Sequence, residues 1–256
     1  MAKKTIRERA RAGDKVRGAF VFEFFTPGVA KMALLAGAEF VMFDMEHTGF
    51  GYESLKTMVA TCRGLDVVPM ARVQRGEYPY LARALDMGCH GVMIPMVESK
   101  EQARAICEAT HYPPRGRRGA AFGFANDAYE PGDVKTKVRT IDARTTVIAQ
   151  IETERGVENV EEIAAVPDID VLWVGHFDLT NFLGIPAEFD HPKYVKAIKR
   201  IVAAARKHKK GLGFMPTDAA WTKQYLKYGF NMMAAGTDPA ILINGWKSVL
   251  APMDKK

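Results

Sequence analysis

Three ionisable side chains stand together where an apolar run ends: Glu39-Phe40-Val41-Met42-Phe43 leads into Asp44-Met45-Glu46-His47. Side chains alternate along an extended chain, so Asp44 and Glu46 share a face and His47 lies at its edge. A carboxylate within reach of an imidazole fixes its tautomer and raises its basicity, as a proton-transfer group requires. Other apolar runs end in the same way. Pro69-Met70-Ala71 leads to Arg72, and Val147-Ile148-Ala149 leads to Gln150 and Glu152, two positions apart. Polar groups aimed inward from a core strand are costly unless they are used. Val171-Leu172-Trp173-Val174 is followed by Gly175, His176 and, just beyond, Asp178.

Glu152 and Asp178 offer hard oxygen donors from successive runs. Two carboxylates, with water and substrate oxygens in the remaining places, suit Mg²⁺ or Mn²⁺, and Co²⁺ is also admitted. Arg72 can stabilise an oxyanion opposite such a cation, while His47 with Asp44 moves a proton through a bound water. Enolate formation on a 2-oxo acid uses the whole set. Each residue also has a quieter role open to it. Arg72 can be a surface cation, Glu152 an acid favoured at a helix N-terminus, Asp178 a turn cap, and Asp238 the start of a helix before Pro239.

Short buried strands must carry these residues. Eight strand candidates cover residues 18–25, 40–44, 68–73, 91–97, 146–152, 171–175, 211–215 and 232–235. They are apolar and rich in β-branched residues or Met, as strands buried on both faces are. Amphipathic segments of helical length alternate with them: 29–36, 52–62, 78–87, 100–109, 156–164, 193–208, 218–228 and 239–250. Glycines 37, 64, 88 and 229 close four of these, and Ser99 and Asp218 stand at N-cap positions. Eight βα units in a chain of 256 residues are the count and length of a single-domain α/β TIM barrel. No GxGxxG follows the first strand, which disfavours a doubly wound dinucleotide fold. In such a barrel the active site lies at the C-terminal strand ends, where the polar residues fall. The connection 111–145 is long enough to be a binding loop, with a short helix expected at 134–141.

Composition narrows the function classes. The net charge of +6 draws on a basic segment at 1–17 (Lys3, Lys4, Arg7, Arg9, Arg11) and on residues 207–210. There is no basic stripe interleaved with aromatics, so nucleic acid is not expected as a partner. No apolar run approaches the roughly 20 residues that span a bilayer, and residues 1–17 lack the apolar core of a signal peptide. Neither a membrane location nor export is expected. Cys62, Cys89 and Cys107 are odd in number and lack CxxC spacing, which fits free thiols in the cytoplasm.

With these residues in place, the sequence resembles the class II pyruvate aldolases often called HpcH/HpaI aldolases. The resemblance is carried by residues 44–47 (DMEH), 69–73 (PMARV), 95–97 (PMV), 112–119 (YPPRGRRG), 150–153 (QIET) and 175–179 (GHFDL), in the family's order and spacing. It implies a (β/α)8 barrel, usually a homo-hexamer arranged as a trimer of dimers, with the helix 239–250 packed on a neighbouring subunit. It implies reversible cleavage of a 4-hydroxy-2-oxo acid into an aldehyde and pyruvate, or a close 2-oxo acid such as hydroxypyruvate. By match, Glu152 and Asp178 are the metal ligands and Arg72 steadies the enolate. His47 paired with Asp44 is the base, Gln150 contacts the 2-oxo acid, and the Phe177 amide helps to hold its carboxylate. Asp86 matches an acid near the subunit boundary, and Glu46 is expected to support the site.

This chain departs from the pattern at His176-Phe177, where Pro-Ala is common, and in the aromatic loop bearing Phe122 and Phe124. His176 either titrates near the metal or packs. Phe122 and Phe124 either favour a less polar aldehyde or pack the loop onto the barrel. Related enolate chemistry is the alternative, as oxaloacetate decarboxylation or a citrate-synthase-like condensation. A non-catalytic basic binding protein is a remote third reading, since it would predict a broken site.

Overall fold

The apolar runs pair side by side in parallel, because each is followed by a helix that returns the chain to the same end. The computed structural model describes residues 4–254. Its eight strands are β1 (Val16–Val21), β2 (Phe40–Asp44), β3 (Val68–Arg72), β4 (Gly91–Ile94), β5 (Thr146–Ile151), β6 (Val171–Val174), β7 (Gly211–Phe214) and β8 (Met232–Thr237). They form one closed barrel in sequence order, with β8 bonded back to β1. The surrounding helices are α1 (Ile6–Ala12), α2 (Val29–Leu35), α3 (Tyr52–Thr61), α4 (Tyr78–Asp86), α5 (Lys100–Thr110), α6 (Val134–Arg144), α7 (Glu154–Glu158), α8 (Val160–Ala164), α9 (His176–Phe182), α10 (Pro192–Lys207), α11 (Ala219–Tyr228) and α12 (Asp238–Leu250).

Alternation along the strands builds two cores. Val41, Phe43, Ala71, Val92, Ile94, Val147, Ala149, Leu172 and Val174 face the helices. Phe20, Phe40, Met42, Met70, Met93, Ile148, Val171, Trp173 and Met232 fill the barrel interior. The interior alternates large and small residues: a Cβ on Gly213 would lie 2.1 Å from the Trp173 ring. The same parity carries Asp44, Arg72 and Gln150 inward at the upper ends of β2, β3 and β5.

Departures from the expected boundaries have local causes. β1 stops at Val21 because the amides of Phe22, Glu23 and Phe24 donate to the Asp238 carboxylate, at distances from 2.7 Å. β4 stops at Ile94, two residues before Met96 turns into left-handed backbone at φ 54°. The helix expected at 156–164 divides into α7 and α8 at Asn159, whose side-chain amide donates to the Glu98 carbonyl at 2.8 Å.

The basic N-terminal segment holds a helix that charge counting hides. Thr5 and Glu8 form a capping box at the start of α1. Ile6 and Ala10 enter the interior cluster and seal the lower mouth of the barrel. Arg7 and Arg11 pair with the buried Asp170 at 2.8 and 3.0 Å, and Arg9 with Glu39 at 2.5 Å. Lys3 lies outside the described residues.

Candidate active site

Parallel register sets Asp44 beside Arg72 across β2 and β3. Arg72 Nε donates to Asp44 Oδ1 at 2.5 Å, with both side chains buried. The other Asp44 oxygen accepts the His47 backbone amide at 3.0 Å, and Thr48 Oγ1 donates to the Asp44 carbonyl at 2.6 Å. Asp44 therefore fixes the arginine and folds the turn after β2. The guanidinium carbon lies 5.0 Å from the Phe20 ring centroid and 5.4 Å from that of Phe22. Aromatic faces and a carboxylate thus hold the cation without closing off its remaining donors.

The expected pairing of the His47 side chain with Asp44 is replaced by another. Glu46 Oε2 is the nearer carboxylate oxygen, 3.6 Å from His47 Nε2 and 3.2 Å from Arg72 Nη1. The reason is that Asp44 is taken up by Arg72 and by backbone amides. Burial pushes the Glu46 carboxyl up to about 7; Arg72 opposes this, and Asp44 and Asp178 add to it. Glu46 thus stands between the Arg72 guanidinium and the His47 ring, and is not itself among the residues lining the cavity at the strand ends.

Across the barrel mouth, β5 delivers Gln150 and then Glu152. Glu152 is almost fully buried; Oε1 accepts the Met96 amide at 2.7 Å, and Oε2 accepts from Gln150 Nε2. Both donors are neutral, and among the described residues Glu152 forms no ion pair. Burial pushes its carboxyl up to about 7, and the charges of Glu46 and Asp178 contribute. Gly175 makes room for it: a Cβ there would lie 2.0 Å from Glu152 Oε2. Asp178, half-buried, sits in the first turn of α9, a helix outside the eight expected from the sequence. A buried carboxylate with neutral donors and like-charged neighbours lacks a counter-cation, and hard oxygens suit a divalent ion. The residues present fit one. Among the described residues, no three His, Cys, Asp or Glu side chains form a complete cage.

His47, Arg72, Gln150, Gly175, His176, Phe177 and Asp178 line a cavity of about 270 Å³ at the strand ends. Phe20, Phe22, Trp173, Val174, Met215 and Thr237 complete its walls. Sequence reading had passed over these wall residues, although Phe20 and Phe22 show the inward parity of β1. His176 is a packing residue: its ring lies among Phe177, Phe189, Phe214 and Trp221, at centroid distances of 4.7 to 5.6 Å. Burial depresses its pKa to about 4, so it is neutral at pH 7. Phe177 is half exposed, at 52%.

Asp86, Phe122 and Phe124 are not brought to this cavity. Asp86 ends α4 and accepts from the buried Arg118 at 2.6 Å. The Phe122 ring packs against Tyr112 at 5.7 Å, and Phe124 is exposed. The long connection is structured by a 3-10 turn, Ala125–Asp127, and by α6, which runs three residues past the expected helix end.

The sequence model for "HpcH/HpaI aldolase/citrate lyase" matches residues 20–245. A 5-keto-4-deoxy-D-glucarate aldolase of Klebsiella pneumoniae is 32% identical over 204 residues, covering 80% of this chain and 79% of the relative. A hydroxypyruvate/pyruvate aldolase of Roseobacter denitrificans is 31% identical over 216 residues, 84% of each. The crystal structure of an HpcH/HpaI aldolase from Desulfitobacterium hafniense superposes with a TM-score of 0.93 at 25% identity, over 99% of this chain and 98% of the other. Barrel and relatives together define a carbon–carbon lyase of the aldolase class. The chain belongs to the HpcH/HpaI aldolase/citrate lyase family.

Proposed function

We propose that this chain is a metal-dependent aldolase that cleaves a 4-hydroxy-2-oxo acid, reversibly, to an aldehyde and pyruvate or a close 2-oxo acid such as hydroxypyruvate. The observation that carries the reading is one cavity lined by Arg72, His47, Gln150 and Asp178, with Glu152 bonded to Gln150 at its edge. Glu152 and Asp178 would hold a divalent cation, Mg²⁺ or Mn²⁺, with Co²⁺ also admitted. When bound, the cation polarises the substrate keto group as a Lewis acid. Arg72, locked by Asp44, presents its free N–H groups to the keto oxygen and steadies the enolate charge there. The Phe177 amide, in the first turn of α9, has no intrahelical acceptor and holds the substrate carboxylate, while Gln150 contacts the 2-oxo group. His47, with Glu46 rather than Asp44 at its ring, moves the proton between solvent and substrate.

Assembly and location follow the family expectation. α12 has no buried residue, and Ile241, Trp246, Val249 and Leu250 are all more than half exposed. An apolar groove of about 630 Å³ runs outside β1 and β8, lined by Val21, Val29, Met32, Met233 and Ala235 among others. A helix with no buried residue, whose Ile241 and Leu242 border an unfilled apolar groove, supports a hexamer in which α12 packs on a neighbouring subunit. Three free, buried cysteines fit a cytoplasmic protein.

Pyruvate in deuterated buffer tests the chemistry without knowledge of the aldehyde. We expect methyl exchange that depends on Mn²⁺ or Mg²⁺ and falls by about 100-fold or more in Arg72→Ala. Absence of exchange with every divalent metal removes the reading. Faster turnover of oxaloacetate, or condensation with an acyl thioester, moves the chain to the related enolate reactions.

A further inference from the structure

The loop after β4 is held by a residue that lines no part of the cavity. Met96, in that loop, has left-handed backbone at φ 54°, a region that residues other than glycine seldom occupy. This conformation aims its amide at Glu152 Oε1, 2.7 Å away. Strained backbone persists only where its surroundings overdetermine it. Here the surroundings centre on Gln102, in the first turn of α5. Gln102 Nε2 donates to the Met96 carbonyl at 3.1 Å, and Gln102 Oε1 accepts the Glu98 amide at 2.8 Å.

Ser99 and Gln102 have the spacing of a capping box, and Ser99 Oγ accepts the Gln102 amide at 3.1 Å. In an ordinary capping box the glutamine would return to the amide of Ser99. Instead its side chain reaches past the cap and grips both sides of Val97. The Val97 amide in turn donates to the Gln150 carbonyl at 3.2 Å, and the Glu98 carbonyl accepts from Asn159 at 2.8 Å. The loop is therefore tied to β5 and α8 as well as to α5, and its one strained residue holds a carboxylate of the site.

We propose that Gln102 is a positioning residue for the cation site: it locks Met96 in the left-handed conformation whose amide orients Glu152. The inference rests on the functional reading above. Loss of groups that orient a metal ligand commonly weakens metal binding 10- to 100-fold.

The test is Mn²⁺ affinity by calorimetry on the purified full-length chain, together with the Mn²⁺ activation constant for pyruvate exchange. Gln102→Ala is expected to weaken Mn²⁺ binding about ten-fold. The exchange rate at saturating Mn²⁺ should change less than two-fold, since no group that touches substrate has been altered. Adding Met96→Gly to Gln102→Ala should recover much of the affinity, because glycine adopts the left-handed backbone without the clamp. General destabilisation would not be rescued in this way. If Gln102→Ala does not fold, Gln102→Glu serves: it keeps the acceptor for Glu98 and loses the donor to Met96. Wild-type binding that a folded Gln102 variant leaves unchanged overturns this inference alone. Wild-type protein that takes up no Mn²⁺ overturns the functional reading and this inference with it.

Discussion

Asp44, Glu46 and His47 follow one another so closely that they look interchangeable, yet their surroundings divide the work. Asp44 is consumed by Arg72 and by the turn it folds. Glu46 lies between Arg72 and the His47 ring. His47→Gln should reduce pyruvate exchange by about 100-fold or more, and Glu46→Gln by about ten-fold, because only the first removes the proton carrier. The reverse order would make Glu46 the base. The raised carboxyls of Glu46 and Glu152 also bear on stability. Each reaches about 7 in the fold against 4.5 in the unfolded chain. Between those values the folded state binds the extra proton, so their contribution to stability falls as pH rises from about 4.5 to 7. The metal-free protein should therefore lose several degrees of Tm across that range, and saturating Mn²⁺ should restore them at pH 7.5. In Glu152→Gln both effects should shrink, and thermal melts with and without chelator would read this directly.

At the scale of elements, loops are held by carboxylates that reach across from other elements. Asp238 is the case with the most bonds: from the first turn of α12 it takes the amides of Phe22, Glu23 and Phe24. Asp238→Ala should cost about 2–4 kcal/mol, since three amides lose their acceptor. It should also raise KM for the 2-oxo acid, because Phe22 walls the cavity. A melt and a saturation curve on one preparation would check both. The sequence shows Asp238 next to Pro239, and a helix start is what local rules predict there; its actual partners lie 214 to 216 residues away. The same limit explains other differences. Strands and their inward parity were legible because apolar alternation is local, and with them came the inward placement of Asp44, Arg72 and Gln150. α9 was missed because its seven residues begin directly after a strand, at a glycine without a capping side chain. α1 was missed because its two buried residues, Ile6 and Ala10, stand among charges that pair with distant acids. The φ of Met96 and the contact of Gly175 with Glu152 have no sequence signal at all, since each is made by tertiary packing.

For the whole molecule, α12 and the groove beside it have the larger consequence. Trp246→Glu with Ile243→Lys places charge on a face that the proposed hexamer buries, and light scattering after size exclusion should show smaller species. The unaltered chain running as a monomer would remove the hexamer from the proposal. The buried charges at the lower end of the barrel hold a different boundary. Lys210 donates to the carbonyls of Val166, Pro167 and Ile169, and Asp170 gathers Arg7 and Arg11.

The helix that Arg7 and Arg11 tie to Asp170 packs against the barrel on the side away from the candidate site. With Ile6 and Ala10 packed in the same buried cluster as Phe20 and Trp173, which line the cavity above them, substrates and products are expected to pass at the strand ends. Passage at that end imposes an order. On the proposed reading the 2-oxo acid, held by Arg72 and the Phe177 amide at the strand ends, should be the first to enter and the last to leave. The aldehyde comes and goes above it. In the cleavage direction pyruvate should then compete with the intact substrate for the free enzyme, whereas the aldehyde should meet an enzyme that still holds its partner, an order that product-inhibition kinetics would check.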